Sequence, residues 1–215
     1  MTTAGRSETV QAIMEARIVA IIRVSSGADA IEVGEALVTA GLTIIEVALT
    51  TPQGLDAIAA LGAIGDGRIV GAGTVLDAGT VREAVAAGAR FVVSPGLDEG
   101  VVAEAARLGV ASMPGAATAT EVMRARSSGA DFVKLFPAAT YGPELLRALR
   151  AVFPDVAFVP TGGVGPENAA AWFDAGASAL AVGSSLTSGD PEGLQERARS
   201  LLAAADSMSG VRGAD

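Results

Sequence analysis

Gly129-Ala130-Asp131-Phe132-Val133-Lys134-Leu135-Phe136-Pro137-Ala138 is an apolar run framed by a glycine and a proline. Its length, its β-branched and aromatic content and those two boundaries predict a buried strand rather than a helix. Working outward, the same module recurs along the chain: an Ala-rich helix-like stretch, a glycine, four to six strand-like residues, then a polar or Gly/Pro turn. The glycines are Gly41, Gly88, Gly109, Gly129 and Gly176. Glycine just past a helix relieves the strain of the left-handed turn out of it. From Gly88 to Gly109 to Gly129 the steps are 21 and 20 residues, which suits one β-plus-α unit with its loops.

Counting in this way places eight strands near 18–24, 43–48, 68–72, 91–94, 110–113, 131–135, 156–160 and 178–182. Helices follow near 28–40, 52–61, 78–87, 98–108, 118–128, 143–152, 166–175 and 191–205, and a short N-terminal helix covers Glu8 to Ala16. The strands are continuously apolar rather than alternating, as expected of a parallel sheet buried on both faces. No linker or shift in composition divides the chain. The simplest arrangement is an α/β fold, a single-domain (β/α)8 TIM barrel over residues 1–215. An open doubly wound sheet is the runner-up, disfavoured by the strand count.

Composition narrows the chemistry. The chain has 215 residues, is half apolar, and contains neither Cys nor His. Its mean hydropathy is +0.47. Without Cys there are no disulfides, thiolate nucleophiles or Cys-held zinc; without His there is no Ser-His-Asp triad, imidazole base or His-ligated metal. A net charge of −9 argues against nucleic acid or an anionic membrane as partner. No apolar run approaches the roughly 18 residues of a membrane span, and residues 1–10 lack a secretory pattern. A cytoplasmic location is expected.

Lys134 is the one lysine in the chain, and the predicted strand buries it. An unpaired buried ammonium is costly, and burial favours the neutral, nucleophilic amine that forms a Schiff base with a carbonyl. The alternative is a lysine that snorkels to water or pairs with a carboxylate. In a barrel, chemistry gathers at the C-terminal strand ends. Those ends carry Arg23, Glu46, Gly73-Thr74, Ser94-Pro95-Gly96, Met113-Pro114-Gly115, Lys134, Thr161-Gly162-Gly163 and Gly183-Ser184-Ser185. Three charges, Arg23, Glu46 and Lys134, thus fall on one rim. The small Gly-rich loops after strands 7 and 8 are where this barrel class binds phosphate. Trp172 and Phe173 are expected to pack on the outer wall, and Pro166 to start a helix.

Ile45-Glu46-Val47, Gly71-Ala72-Gly73-Thr74-Val75, Ser94-Pro95-Gly96, Phe132-Val133-Lys134-Leu135-Phe136-Pro137-Ala138 and Pro160-Thr161-Gly162-Gly163-Val164 stand in the order and at the spacing of one family. Over roughly residues 10–205 the chain resembles the 2-keto-3-deoxy-6-phosphogluconate aldolases, a group that includes 4-hydroxy-2-oxoglutarate and 6-phosphogalactonate aldolases. The resemblance implies Lys134 as Schiff-base lysine and Glu46 as the proton-shuttling carboxylate. It implies substrate contacts from Arg23, Thr74, Pro95, Phe136 and Thr161, and phosphate loops at Gly162, Gly163, Gly183 and Ser184. It also implies a homotrimer with no metal and no cofactor, acting on a phosphorylated keto acid and releasing pyruvate. One departure stands out: uncharged Thr50 occupies a position where many members carry arginine, which leaves open how the substrate carboxylate is held.

These residues predict a class I aldolase splitting a 2-keto-3-deoxy sugar acid into pyruvate and an aldehyde such as glyceraldehyde 3-phosphate. The rivals are a 6-phosphogalactonate-specific member, a noncovalent isomerase or epimerase with Glu46 as base, and a noncatalytic sugar-phosphate sensor.

Overall fold

Residues 3–189 and 191–207 are described in the computed structural model of the chain. Helices and parallel strands alternate. In order they are α1 Thr3–Ala16, β1 Ile18–Ile22, α2 Gly27–Thr39, β2 Ile44–Ala48, α3 Gly54–Ala63, β3 Ile69–Gly73, α4 Ala78–Ala86, β4 Phe91–Val93, α5 Glu99–Leu108 and β5 Ala111–Met113. Then come β6 Gly115–Ala116, α6 Ala119–Ser127, β7 Val133–Leu135, α7 Ala138–Val152, β8 Phe158–Pro160, α8 Ala169–Asp174, β9 Leu180–Val182, α9 Ser184–Thr187 and α10 Pro191–Ser207. Met1, Thr2 and residues 208–215, which the sequence reading counts in the same domain, lie outside the described residues.

The strands form two curled parallel sheets, ordered β5-β4-β3-β2-β1-β9 and β6-β7-β8. Where one fifth strand was expected there are two, β5 and β6, parted only by Pro114. Proline has no N–H for the ladder, so the pairing breaks there. The sheets remain joined across the gap: Lys134 N–H donates to the Pro114 carbonyl at 2.9 Å and Phe132 N–H to the Ser112 carbonyl at 3.2 Å. At the other edge an isolated parallel bridge pairs Thr161 with Ala181.

Helix ends follow their sequence signals. Ser26, Asp77 and Asp98 each accept a hydrogen bond from a first-turn amide, and Thr118 with Glu121 closes a capping box on α6. Gly41, Gly88, Gly109, Gly129 and Gly176 all have positive φ. After each, the next residue donates back five residues, as Leu42 does to Leu37 at 2.9 Å and Ala130 to Ala125 at 3.1 Å. This double bond pattern satisfies the last helix carbonyls and turns the chain into its strand.

Alternation along each strand sorts the core into two shells. Ile18, Ala20, Ile22, Ile45, Val47, Val133, Leu135, Leu180 and Val182 face the helices, where Trp172 and Phe173 also pack as expected. Val19, Ile21, Ile44, Phe91, Val93, Phe132, Val159 and Ala181 fill the inner face, joined by Ile13 of α1. Burying each such Val, Ile or Phe contributes roughly 1.5–3 kcal/mol. The consequence for the site is one of phase. Glu46 follows Ile44 by two and Lys134 follows Phe132 by two, so both carry the inward phase at the far end from α1.

Two expectations are corrected. Pro166 does not start a helix: α8 begins at Ala169, and Asn168 N–H donates to the Gly165 carbonyl at 3.2 Å in a turn that holds Pro166 outside it. The helix expected at 143–152 gains an extra turn at its start, with a kink at Gly142 (φ 70°, ψ 174°). Pro143 fits the first position after that break.

Candidate active site

The C-terminal ends of the strands surround a cavity of about 600 Å³. Arg23, Thr74, Pro95, Lys134, Phe136, Thr161, Gly162, Gly163, Gly183 and Ser184, ten of the residues singled out from sequence, all line it. Glu46 is the exception. The rim placement expected for it is corrected by its burial: at 1% exposure it does not line the cavity.

Lys134 is the middle residue of β7, aligned with Gly115 on one side and Val159 on the other, and 6% exposed. Its ammonium nitrogen lies 5.1 Å from the centre of the Phe136 ring. Phe136 in turn abuts Gly162, where an added Cβ would come 3.3 Å from the ring. The aromatic wall beside the amine therefore depends on a glycine opposite.

Glu46 aligns with Ile21 of β1 and Gly71 of β3. Its carboxyl lies over Gly73, where any Cβ would overlap Oε1. That close approach explains Gly73, while Gly71 of the same strand makes room for the Phe91 ring. Glu46 Oε2 is buried and has no hydrogen-bond partner. Burial pushes the Glu46 pKa up, and the positive charges of Lys134 and Arg23 oppose that rise. A carboxyl so placed is ready both to hold and to release a proton.

Around this pair the rim is irregular. Thr74 adopts φ +62°, a left-handed conformation that a β-branched residue rarely takes. Such strain persists only where surrounding structure enforces it, and it gathers at functional sites. Arg23, just past β1, is exposed on the cavity wall. Thr50 lines the cavity as well.

The loops after β8 and β9 meet on the opposite side. Gly162 and Gly163 have φ +88° and +73°. Among the described residues nothing accepts a hydrogen bond from the amides of Gly162, Gly163 or Gly183. Ala138 and Ala139 at the start of α7 donate to the carbonyls of Thr161 and Gly162 at 2.8 and 2.9 Å, so those carbonyls are turned away. Free amides beside Ser184 form a cradle suited to an anion. Sequence reasoning missed Thr187 and Ser188 as lining residues, along with the α9 turn that leads to them. Four residues are too few for a helical period to register.

Comparison with known proteins agrees with this arrangement. The family model described as Aldolase: KDPG and KHG aldolase matches residues 10–197. A 2-dehydro-3-deoxy-6-phosphogalactonate aldolase of Escherichia coli (strain K12) is 38% identical over 171 residues, 79% of this chain and 83% of its own. A 2-dehydro-3-deoxy-phosphogluconate aldolase of Pseudomonas aeruginosa is 41% identical over 157 residues, 73% of this chain and 71% of its own. Among solved structures, the KDPG aldolase of Legionella pneumophila, with pyruvate captured as a covalent carbinolamine intermediate, superposes with a TM-score of 0.76. It is 30% identical and covers 93% of this chain and 97% of its own.

Proposed function

Because this chain belongs to the KDPG and KHG aldolase family, we propose that it cleaves a 2-keto-3-deoxy sugar acid through a Schiff base on Lys134. The observation that carries the proposal is the position of that lysine, the only one in the sequence: on the inner face of β7, in the cavity wall, near a buried carboxyl with an unpaired oxygen. In the same reading the two sheets are one (β/α)8 barrel, with β5 and β6 a single strand interrupted at Pro114 and the Thr161–Ala181 bridge closing the ring. Family resemblance extends the proposal to a homotrimer.

The unprotonated Lys134 amine adds to the C2 ketone, and a proton passes from its nitrogen to the former ketone oxygen to give a carbinolamine. Glu46, carrying a proton that burial helps it retain, delivers it to the departing hydroxyl, and water leaves an iminium. Glu46, now a carboxylate, takes the proton of the C4 hydroxyl. The C3–C4 electrons flow to the iminium nitrogen, releasing the aldehyde and leaving an enamine on Lys134. Protonation at C3 restores an iminium, and water addition frees pyruvate and the amine. The Gly162–Gly163 and Gly183–Ser184 amides hold the distal phosphate, and Arg23 adds positive charge to that end of the cavity.

The preferred substrate is 2-keto-3-deoxy-6-phosphogluconate. The galactonate epimer is the second reading, favoured by the 38% identity to the Escherichia coli phosphogalactonate aldolase. Pyruvate release assayed with each epimer decides between them. Lys134→Ala should lower release by more than about 10⁴-fold on either, as loss of a covalent nucleophile does. Near-normal turnover in that variant would remove the Schiff-base reading.

A further inference from the structure

We propose that Asn168 is a positioning residue for the anion loop after β8, and that through this loop it sets the preference for a phosphorylated over an unphosphorylated substrate. The inference rests on the aldolase reading above. Asn168 does not line the cavity, so it acts without touching substrate. Its side-chain amide is used at both ends: Nδ2 donates to the Gly163 carbonyl at 2.8 Å, and Oδ1 accepts from the Gly165 amide at 3.0 Å. Its own amide donates to the Gly165 carbonyl at 3.2 Å.

The effect follows from peptide geometry. In a trans peptide the C=O and the following N–H point in opposite directions. Holding the Gly163 carbonyl on Asn168 therefore turns the Val164 amide the other way, and Val164 is a cavity residue. The next carbonyl, that of Val164, accepts from the Ser185 hydroxyl at 2.5 Å, which ties this loop to α9 and the second anion loop. Two successive peptides are thus fixed by side chains at a point where Gly162 and Gly163, both at positive φ, would otherwise leave the backbone free. Such freedom would have to be lost on binding, so a loop held in place in advance binds its anion more tightly.

The test compares Asn168→Ala with the unsubstituted enzyme on 2-keto-3-deoxy-6-phosphogluconate and on 2-keto-3-deoxygluconate, which differ only in the phosphate. KM for the phosphorylated substrate should rise about tenfold or more, the worth of one or two hydrogen bonds, with kcat little changed. Both constants on the unphosphorylated twin should stay within about twofold. Equal losses on both substrates, or no loss on either, would overturn the proposal. Asn168→Asp, which keeps an oxygen for the Gly165 amide but cannot donate to the Gly163 carbonyl, should give the same selective rise, and it decides the matter if Asn168→Ala does not fold. If the unsubstituted protein releases pyruvate from neither substrate, the aldolase reading fails by itself, and calorimetric titration with inorganic phosphate then decides. Phosphate binding weakened about tenfold in Asn168→Ala sustains the positioning role. Unchanged affinity, or no phosphate binding to the unsubstituted protein, ends it.

Discussion

The two ends of the strands treat their carboxyls in opposite ways. At the N-terminal end α1 packs Ile13 against the inner-face residues, and the carboxylate there is matched, although Arg68 Nη1 and Arg90 Nε are buried without a partner. Asp131 accepts from Arg6 Nε at 2.9 and 3.0 Å and from the Ser112 amide at 2.9 Å, while Arg6 also donates to the Gly129 carbonyl at 2.8 Å. At the C-terminal end Glu46 keeps an unpaired buried oxygen, Thr74 sits in a left-handed conformation, and the loop amides of Gly162, Gly163 and Gly183 have no acceptor within the described chain. An unmatched buried group such as Glu46 Oε2 costs stability, typically about 1–3 kcal/mol. Asp131 is spent on the fold, whereas the Glu46 carboxyl is left for the chemistry proposed above.

Substitutions at the two ends should therefore separate rate from stability. Glu46→Gln removes the base while keeping the shape, and pyruvate release should fall about 10²–10⁴-fold. The same change should raise the melting temperature at neutral pH. Burial raises the folded-state pKa of Glu46 above its ordinary value, so the folded state holds a proton that the unfolded chain gives up. Stability from this group is full below the ordinary carboxylate range and is lost as pH rises through the raised value. The thermal advantage of Glu46→Gln should accordingly vanish near pH 4 and grow toward neutrality. A variant less stable than its parent at pH 7 would contradict the assignment of Glu46 as a desolvated, unpaired carboxyl. At the other end Ile13→Ala should cost roughly 2–5 kcal/mol in denaturant unfolding, since it opens a cavity among inner-face side chains. Its kcat should stay within about twofold, because the site lies at the opposite strand ends. A large loss of kcat with intact stability would show that the two ends are not separate.

Much of this division was legible in the residues. Glycine after each helix and the apolar runs that follow set out the alternation of helices and parallel strands, because both signals are local. The inward phase of Lys134 follows from Phe132 two residues before it. What escaped the sequence depends on contacts between distant segments. Glu46 reads as a rim residue until Gly73, 27 positions later, is seen to leave room for its buried carboxyl. The break at Pro114 was written in the residue itself, as a missing donor, but an apolar run on both sides hides it. Asn168 looked like part of a helix start, because its partners on Gly163 and Gly165 appear only once the turn is built.

The central claim is that Lys134 forms a covalent adduct with the keto acid. The most direct measurement is reduction with borohydride in the presence of pyruvate, followed by intact and peptide mass spectrometry. With a single lysine in the sequence, a reduced adduct can lie only on Lys134 or on the N-terminal amine. The account predicts one added 1-carboxyethyl group (the pyruvate imine reduced at carbon) in the peptide containing Lys134, and its loss in Lys134→Ala. Pyruvate binding with no adduct on Lys134 would contradict it.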